Sequence, residues 1–203
     1  MDGSGKTTLS KRLQYHLESK DIKVKYVWLR FNPFFTIPVL IYGRILGLTV
    51  YEVKDGVRTG YHHFSGSKLI RTAYPILLFL DLLLARIIKV NIPNILGYTV
   101  ICDRYVIDSV IDMMVDLGLN KGEADRLCRA YSRLLPKDNV IFHITAHPET
   151  IYSRRSTLRY DNTIGLRCDL YPSVCRSFDT YTVSNNGSAE ASFSRISKYV
   201  GGE

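Results

Sequence analysis

A chain of 203 residues, 46% apolar and 23% charged, is long enough to bury one sizeable core and too apolar to be disordered. Its 27 Lys and Arg against 19 Asp and Glu leave a net charge of +8, which suits an anionic ligand; no Lys/Arg block or RNA-binding signature accompanies it, so nucleic acid is not expected as a partner. The four cysteines, Cys102, Cys128, Cys168 and Cys175, form no CxxC pair, which excludes a zinc site and a disulfide frame and fits reduced thiols in a cytoplasmic protein.

The first eight residues, Met1-Asp2-Gly3-Ser4-Gly5-Lys6-Thr7-Thr8, read as a phosphate-binding loop that opens a helix. In the full motif, Gly-x4-Gly-Lys-Ser/Thr, backbone N–H groups cradle phosphates, the lysine reaches the outer phosphates and the hydroxyl binds Mg²⁺. Gly3, Ser4, Gly5, Lys6, Thr7 and Thr8 are the candidate phosphate-binding residues, with Lys6 also catalytic and Thr7 a metal ligand. The loop normally turns a buried strand into a helix N-terminus, where orphan N–H groups and the dipole favour anions. That strand, and the motif's first glycine, are expected upstream of Met1, which would itself occupy a loop position; a signal peptide is not expected.

Leu9, Leu13 and Leu17 recur at helical spacing, predicting a helix from Lys6 to about Ser19. Lys23–Leu29 reads as a strand ending at Arg30-Phe31-Asn32-Pro33. Ligands meet parallel sheets at the carboxyl ends of strands, so Arg30 is placed to face an anion. The glycines and prolines between Phe31 and Tyr74 break any long element; a short helix at Val39–Leu46, a loop or hairpin through Tyr51–Gly56 and an aromatic turn over Gly60–Phe64 are expected. His62 and His63 lack Cys, Asp or Glu partners at ligand spacing and read as residues for loop packing or for hydrogen bonding at a substrate edge. Ser67–Lys89 is so apolar that its helix should be mostly buried, with Pro75 kinking or dividing it and an end at Asn91-Ile92-Pro93.

Tyr98–Cys102 predicts a strand that delivers Asp103-Arg104-Tyr105 at its end. A carboxylate there can hold Mg²⁺, and an arginine beside it can bind phosphate bidentately. Helices follow at Val106–Leu117, stopped by Gly118, and at Lys121–Leu135; then a strand at Asn139–Ile144, with His143 a core histidine, and a helix opened by Pro148. Arg155 and Arg159, four residues apart, would share a face of that helix beside Arg154 and form a lid over about residues 154–165. A strand at Tyr181–Val183 and a closing helix capped by Ser188 complete the order. Neither Ile37–Val50, broken by Pro38, Gly43, Arg44 and Gly47, nor Ile76–Val90, carrying Asp81, Arg86 and Lys89, reaches the roughly 18 to 20 apolar residues of a membrane span. Stable membrane insertion is not expected; peripheral contact through the first stretch stays open.

This order, with Asp2–Thr8, Leu77-Leu78-Phe79, Val100–Tyr105, the Pro148-Glu149…Arg154-Arg155 helix and Asn186–Glu190, resembles the thymidylate kinase family of P-loop nucleoside monophosphate kinases across nearly the whole chain. The resemblance implies an α/β P-loop NTPase three-layer sandwich, a five-stranded parallel sheet flanked by helices, as a single domain over residues 1–203 with an insertion-like segment 31–74. It implies transfer of the ATP γ-phosphoryl to dTMP, with Mg²⁺ required. Carried over by position, Asp2, Arg30, Arg104 and Tyr105 would bind the acceptor, Thr7 and Asp103 the metal, and Lys6, Arg104, Arg155 and Arg159 would be catalytic. A homodimer is also implied. Two departures bear on the acceptor: Leu82-Leu83 stands where the family carries Asp-Arg, and Ile111-Asp112-Met113 where it carries Ala-Tyr-Gln. These remove readers of thymine and leave the phosphate machinery. A kinase for another small metabolite, or a nucleotide-binding module with partner or membrane-surface contact, remains the alternative.

Overall fold

The structure, a computed structural model, describes residues 2–30 and 33–201. The expectations for Met1 in the loop and for Phe31-Asn32 at a strand end lie outside the described residues. Helix α1 (Lys6–Glu18) leads to β1 (Val24–Trp28), helix α2 (Ile37–Ile45) and two strands, β2 (Thr49–Lys54) and β3 (Val57–His62). A 3-10 turn at Phe64–Gly66 precedes α3 (Lys68–Arg86), which runs through a π turn at Ile87–Asn91 into α4 (Ile92–Ile95). Then come β4 (Thr99–Asp103), α5 (Val106–Leu117), α6 (Lys121–Tyr131), β5 (Phe142–Thr145), α7 (Pro148–Arg154), a 3-10 turn at Ser156–Tyr160, α8 (Ile164–Arg176), β6 (Tyr181–Ser184) and α9 (Ala189–Gly201).

Among the described residues the parallel strands form two pairs and not one five-stranded sheet. β1 lies parallel to β4, with Val24 opposite Thr99 and Trp28 opposite Asp103; β5 lies parallel to β6, with Phe142 opposite Tyr181. Helix α1 packs across both pairs. Leu9 and Leu13 join Ile144, Val183 and Ile196 over β5 and β6, while Thr7 reaches Asp103 at the end of β4. The main core is elsewhere, between α3, α5, α6 and α8, around Ile70, Leu82, Val110, Met113, Leu117 and Tyr131.

Local signals set most boundaries. Gly118 at φ 58° ends α5, its N–H returning to the carbonyls of Met114 and Val115. Asn120 and Glu123 form a reciprocal capping box that starts α6. Ser188 Oγ accepts from the Ala191 N–H at 3.2 Å and caps α9.

Three expectations are corrected. The segment Thr49–His62 is an antiparallel hairpin closed at Asp55-Gly56, both at positive φ, so Gly60–His62 belong to a strand and not to an aromatic turn. Helix α3 is not mostly buried: Leu69 is 64% exposed and Ile76 58%, since α3 packs one face on α5 and leaves the other open. Pro75 does not divide it, and Pro93, at the start of α4, continues the helical path that it was expected to end.

Candidate functional site

Residues 2–5 form the turn into α1. Gly3 and Gly5 adopt φ of 74° and 90°, and a Cβ on Gly5 would lie 2.3 Å from Asn185 Nδ2. Glycine is thus required at position 5 twice over, by its backbone and by its neighbour. Asn185, at the end of β6, donates from that same Nδ2 to the Ser4 carbonyl at 2.8 Å and fastens the loop. It belongs to the Asn-Asn-Gly-Ser turn visible in the sequence, yet only its long-range contact reveals the role.

Thr7 Oγ1 donates to Asp103 Oδ2 at 2.6 Å, and Tyr26 of β1 donates its hydroxyl to the same oxygen at 2.6 Å. Burial first and Asp103 second push the Tyr26 hydroxyl up to about 12, so it stays a donor. Asp103 is 2% exposed, and its Oδ1 is buried without a hydrogen-bond partner among the described residues. A buried carboxylate oxygen costs free energy unless something satisfies it. A hydroxyl whose proton is given to one carboxylate oxygen, beside a second oxygen that lacks a donor, is a pair that fits Mg²⁺ and its waters. Among the described residues no group of three or more His, Cys, Asp or Glu could hold a metal ion, so the pair would have to share the ion with phosphate oxygens.

Past β4, Arg104 takes φ 63°, a left-handed conformation that among non-glycine described residues is otherwise found only at aspartates. The turn aims its guanidinium at Asp2, which it grips through Nη2, while Nη1 donates to Asp108 at 3.4 Å. Arg30, two residues beyond the end of β1, meets the same Asp2 at 3.4 Å and binds Asp112 of α5 through Nε at 3.3 Å. Arg155 approaches Asp2 at 3.8 Å. Three guanidiniums from three parts of the chain therefore converge on one carboxylate. Burial would raise the Asp108 carboxyl, but Lys6, Arg104 and the Tyr171 hydroxyl together hold it below its ordinary value.

Arg167 of α8 completes the surroundings, with its Nη1 against Asp112 and its Nε donating to Thr163 Oγ1 at 3.0 Å. A cavity of about 150 Å³ opens here; Asp2, Arg30, Arg104, Arg167, Thr59 and Tyr171 are in its lining. Thr59 comes from the β2–β3 hairpin, which also reaches the 154–165 segment: Tyr61 Oη accepts from the Asn162 N–H at 3.1 Å and donates to the Tyr160 carbonyl at 3.3 Å.

The arginine lid differs from its expected form. Helix α7 ends at Arg154, and Arg155 is extended at φ −148°, so Arg155 and Arg159 do not share a helix face. Arg155 turns to Asp2, whereas Arg159 stacks over the Tyr152 ring at 5.8 Å. Arg154 is the neighbour of the loop, its Nη1 3.7 Å from where a Cβ on Gly5 would stand. Tyr105 also departs from its expected place: its hydroxyl donates to the Leu134 carbonyl at 3.0 Å, in the wall of the core and away from the cavity. Thr8 is exposed on α1 beyond the loop. His143 stacks on Tyr171 at 5.4 Å, with burial and the Lys6 charge among the causes that take its imidazole down to about 4, in keeping with a neutral packing histidine.

The described residues thus form an α/β fold of helices around short parallel strand pairs, with a glycine turn entering α1. The whole chain is similar in fold to the crystal structure of thymidylate kinase from Ehrlichia chaffeensis, with a TM-score of 0.53, 14% identity, and coverage of 98% of this chain and 94% of that one. No family profile matches the sequence, and comparison with curated proteins finds no match. No helix among the described residues is long and apolar enough to cross a membrane.

Proposed function

We propose that the chain is an ATP- and Mg²⁺-dependent kinase that phosphorylates a nucleoside monophosphate, most simply dTMP. The observation that carries this reading is the junction at residues 2–7: the glycine turn and the Thr7–Asp103 pair lie on one side of it, and Asp2 leads directly to Arg30, Arg104 and Arg155 on the other. Donor and acceptor phosphates would thus meet within a few residues of chain.

Phosphoryl transfer needs alignment and charge neutralisation more than covalent chemistry. The loop N–H groups of residues 3–6 would bind the ATP phosphates, with Lys6 reaching the β- and γ-oxygens. Mg²⁺, held through Thr7 and Asp103, would neutralise charge on those oxygens. Arg104 and Arg30 would bind the acceptor phosphate and leave Asp2 to its sugar, while Arg154 and Arg155 would face charge that develops on the transferring group. Arg159 can share that task only by leaving Tyr152.

The likeness in fold to a thymidylate kinase supports this chemistry, and the acceptor reading rests on phosphate recognition. The decisive experiment is ADP formation from ATP and Mg²⁺ against a panel of monophosphates, with dTMP expected to turn over and Lys6→Ala and Arg104→Ala to lose activity by about a hundredfold or more. ATP binding without turnover of any monophosphate would reject the acceptor assignment and leave a kinase for another small metabolite.

The exposed face of α3 supports a second element of the reading, association of two copies. From Thr72 to Ala85 its only charged residue is Asp81, which is buried and accepts from the N–H groups of Phe34, Phe35 and Thr36. Ile76 and Leu80 of this stretch are exposed, as are Leu69 before it and Ile41 and Ile45 of α2, apolar surface of the kind that self-associating helices bury. Sedimentation should give a dimer that Ile76→Glu dissociates; a monomeric wild type would reject it.

A further inference from the structure

Arg167 stands outside every motif in the sequence, yet the fold brings it to the acceptor cavity and fixes it there. Its Nε is tied to Thr163 at 3.0 Å and its Nη1 to Asp112. Asp112 serves Arg30 at the same time, through Nε at 3.3 Å and Nη2 at 3.4 Å, so one carboxylate holds two guanidiniums side by side. The next acidic residue on this helix, Asp116, does not add a charge. Burial, and then the Asp112 carboxylate, push its carboxyl up to about 8, which keeps it protonated at neutral pH. Arg30 and Arg167 share Asp112, Arg30 also meets Asp2, and both line the cavity with Arg104.

Two guanidiniums side by side on one cavity wall present neighbouring N–H donors to a single anion. A guanidinium fixed at both Nε and one Nη has also lost its side-chain freedom in advance, which lowers the entropy cost of gripping a phosphate. We propose that Arg167 is a ligand of the acceptor's phosphate, the third guanidinium beside Arg30 and Arg104, and that Asp112 is the positioning residue that sets Arg30 and Arg167 at one spacing. The acceptor class follows: a compound that presents a phosphate, whose several oxygens can accept from three guanidiniums lining one cavity. The assignment of the cavity as the acceptor side rests on the proposed kinase reading.

The test separates the two. With the phosphate loop saturated by a non-transferring ATP analogue and Mg²⁺, inorganic phosphate and dTMP are titrated by calorimetry into wild type, Arg167→Gln, Arg167→Lys and Asp112→Asn. Arg167→Gln should weaken both isotherms about tenfold and lessen their salt dependence, with affinity for the analogue kept within about twofold. Arg167→Lys should fall between, because it keeps the charge and loses the fork. Asp112→Asn should weaken both isotherms by about threefold or more. Unchanged phosphate binding in Arg167→Gln overturns the proposal, as does an equal loss of analogue affinity, which would mark a structural role. If wild type binds no phosphate, the proposal also fails. Binding that depends on Arg167 with no turnover of any monophosphate would uphold it and reject the kinase reading alone. An analogue that does not bind would count against the phosphate loop, and the Arg167 dependence of the phosphate isotherm would still decide.

Discussion

Thr7 Oγ1 lies 2.6 Å from Asp103 Oδ2 although 96 residues separate them, so the first turn of α1 is tied to the end of β4 by a single short hydrogen bond. The hydroxyl and the carboxylate form one unit with Tyr26, and removing either member should affect Mg²⁺ before it affects the fold. Asp103→Asn should raise the Mg²⁺ concentration needed for half-maximal turnover by about ten- to a hundredfold, and Thr7→Ser should lie close to wild type. A Mg²⁺ titration of initial rates checks both; an unchanged requirement in Asp103→Asn would remove this carboxylate from the metal site.

Tyr61→Phe deletes the hydroxyl that links the hairpin to the segment carrying Arg155 and Arg159, while keeping the ring. Two neutral hydrogen bonds at an exposed site contribute on the order of 1 kcal/mol, or roughly fivefold in the opening equilibrium. Limited trypsin digestion should cut within residues 154–159 about fivefold faster in the variant. Equal rates would mean that the hairpin does not restrain the lid.

The protonated Asp116 makes a prediction with a definite sign. The folded chain keeps until about pH 8 a proton that the unfolded chain gives up near pH 4, so over that interval the unfolded state binds fewer protons and stability falls as pH rises. Asp116→Asn removes the titration. Its gain over wild type should be larger at pH 8 than at pH 5, by on the order of 3–4 kcal/mol, in denaturant unfolding. A gain that does not change with pH would show that Asp116 ionises normally.

How much of this was legible depended on whether the cause was local. Helix α5 is legible to the residue, because Gly118 fixes its end, and the strand that delivers Asp103-Arg104 is legible because an apolar run ends there. Arg167, Asn185 and Tyr26 left no local trace, since each acts through a partner at least 55 residues away in sequence. The lid arginines were misread for the opposite reason. Their spacing is helical, but Arg155 leaves the helix to reach Asp2, and the ion pair, unlike the i, i+4 rule, is a tertiary cause.

Helix α1 is the brace between two strand pairs that share no backbone hydrogen bond with one another among the described residues. A ligand seated on its first turn therefore sits at the joint of the molecule. Binding phosphate there and holding the two halves in register become one thermodynamic event, so a titration with ATP is also a measurement of how firmly the halves are joined.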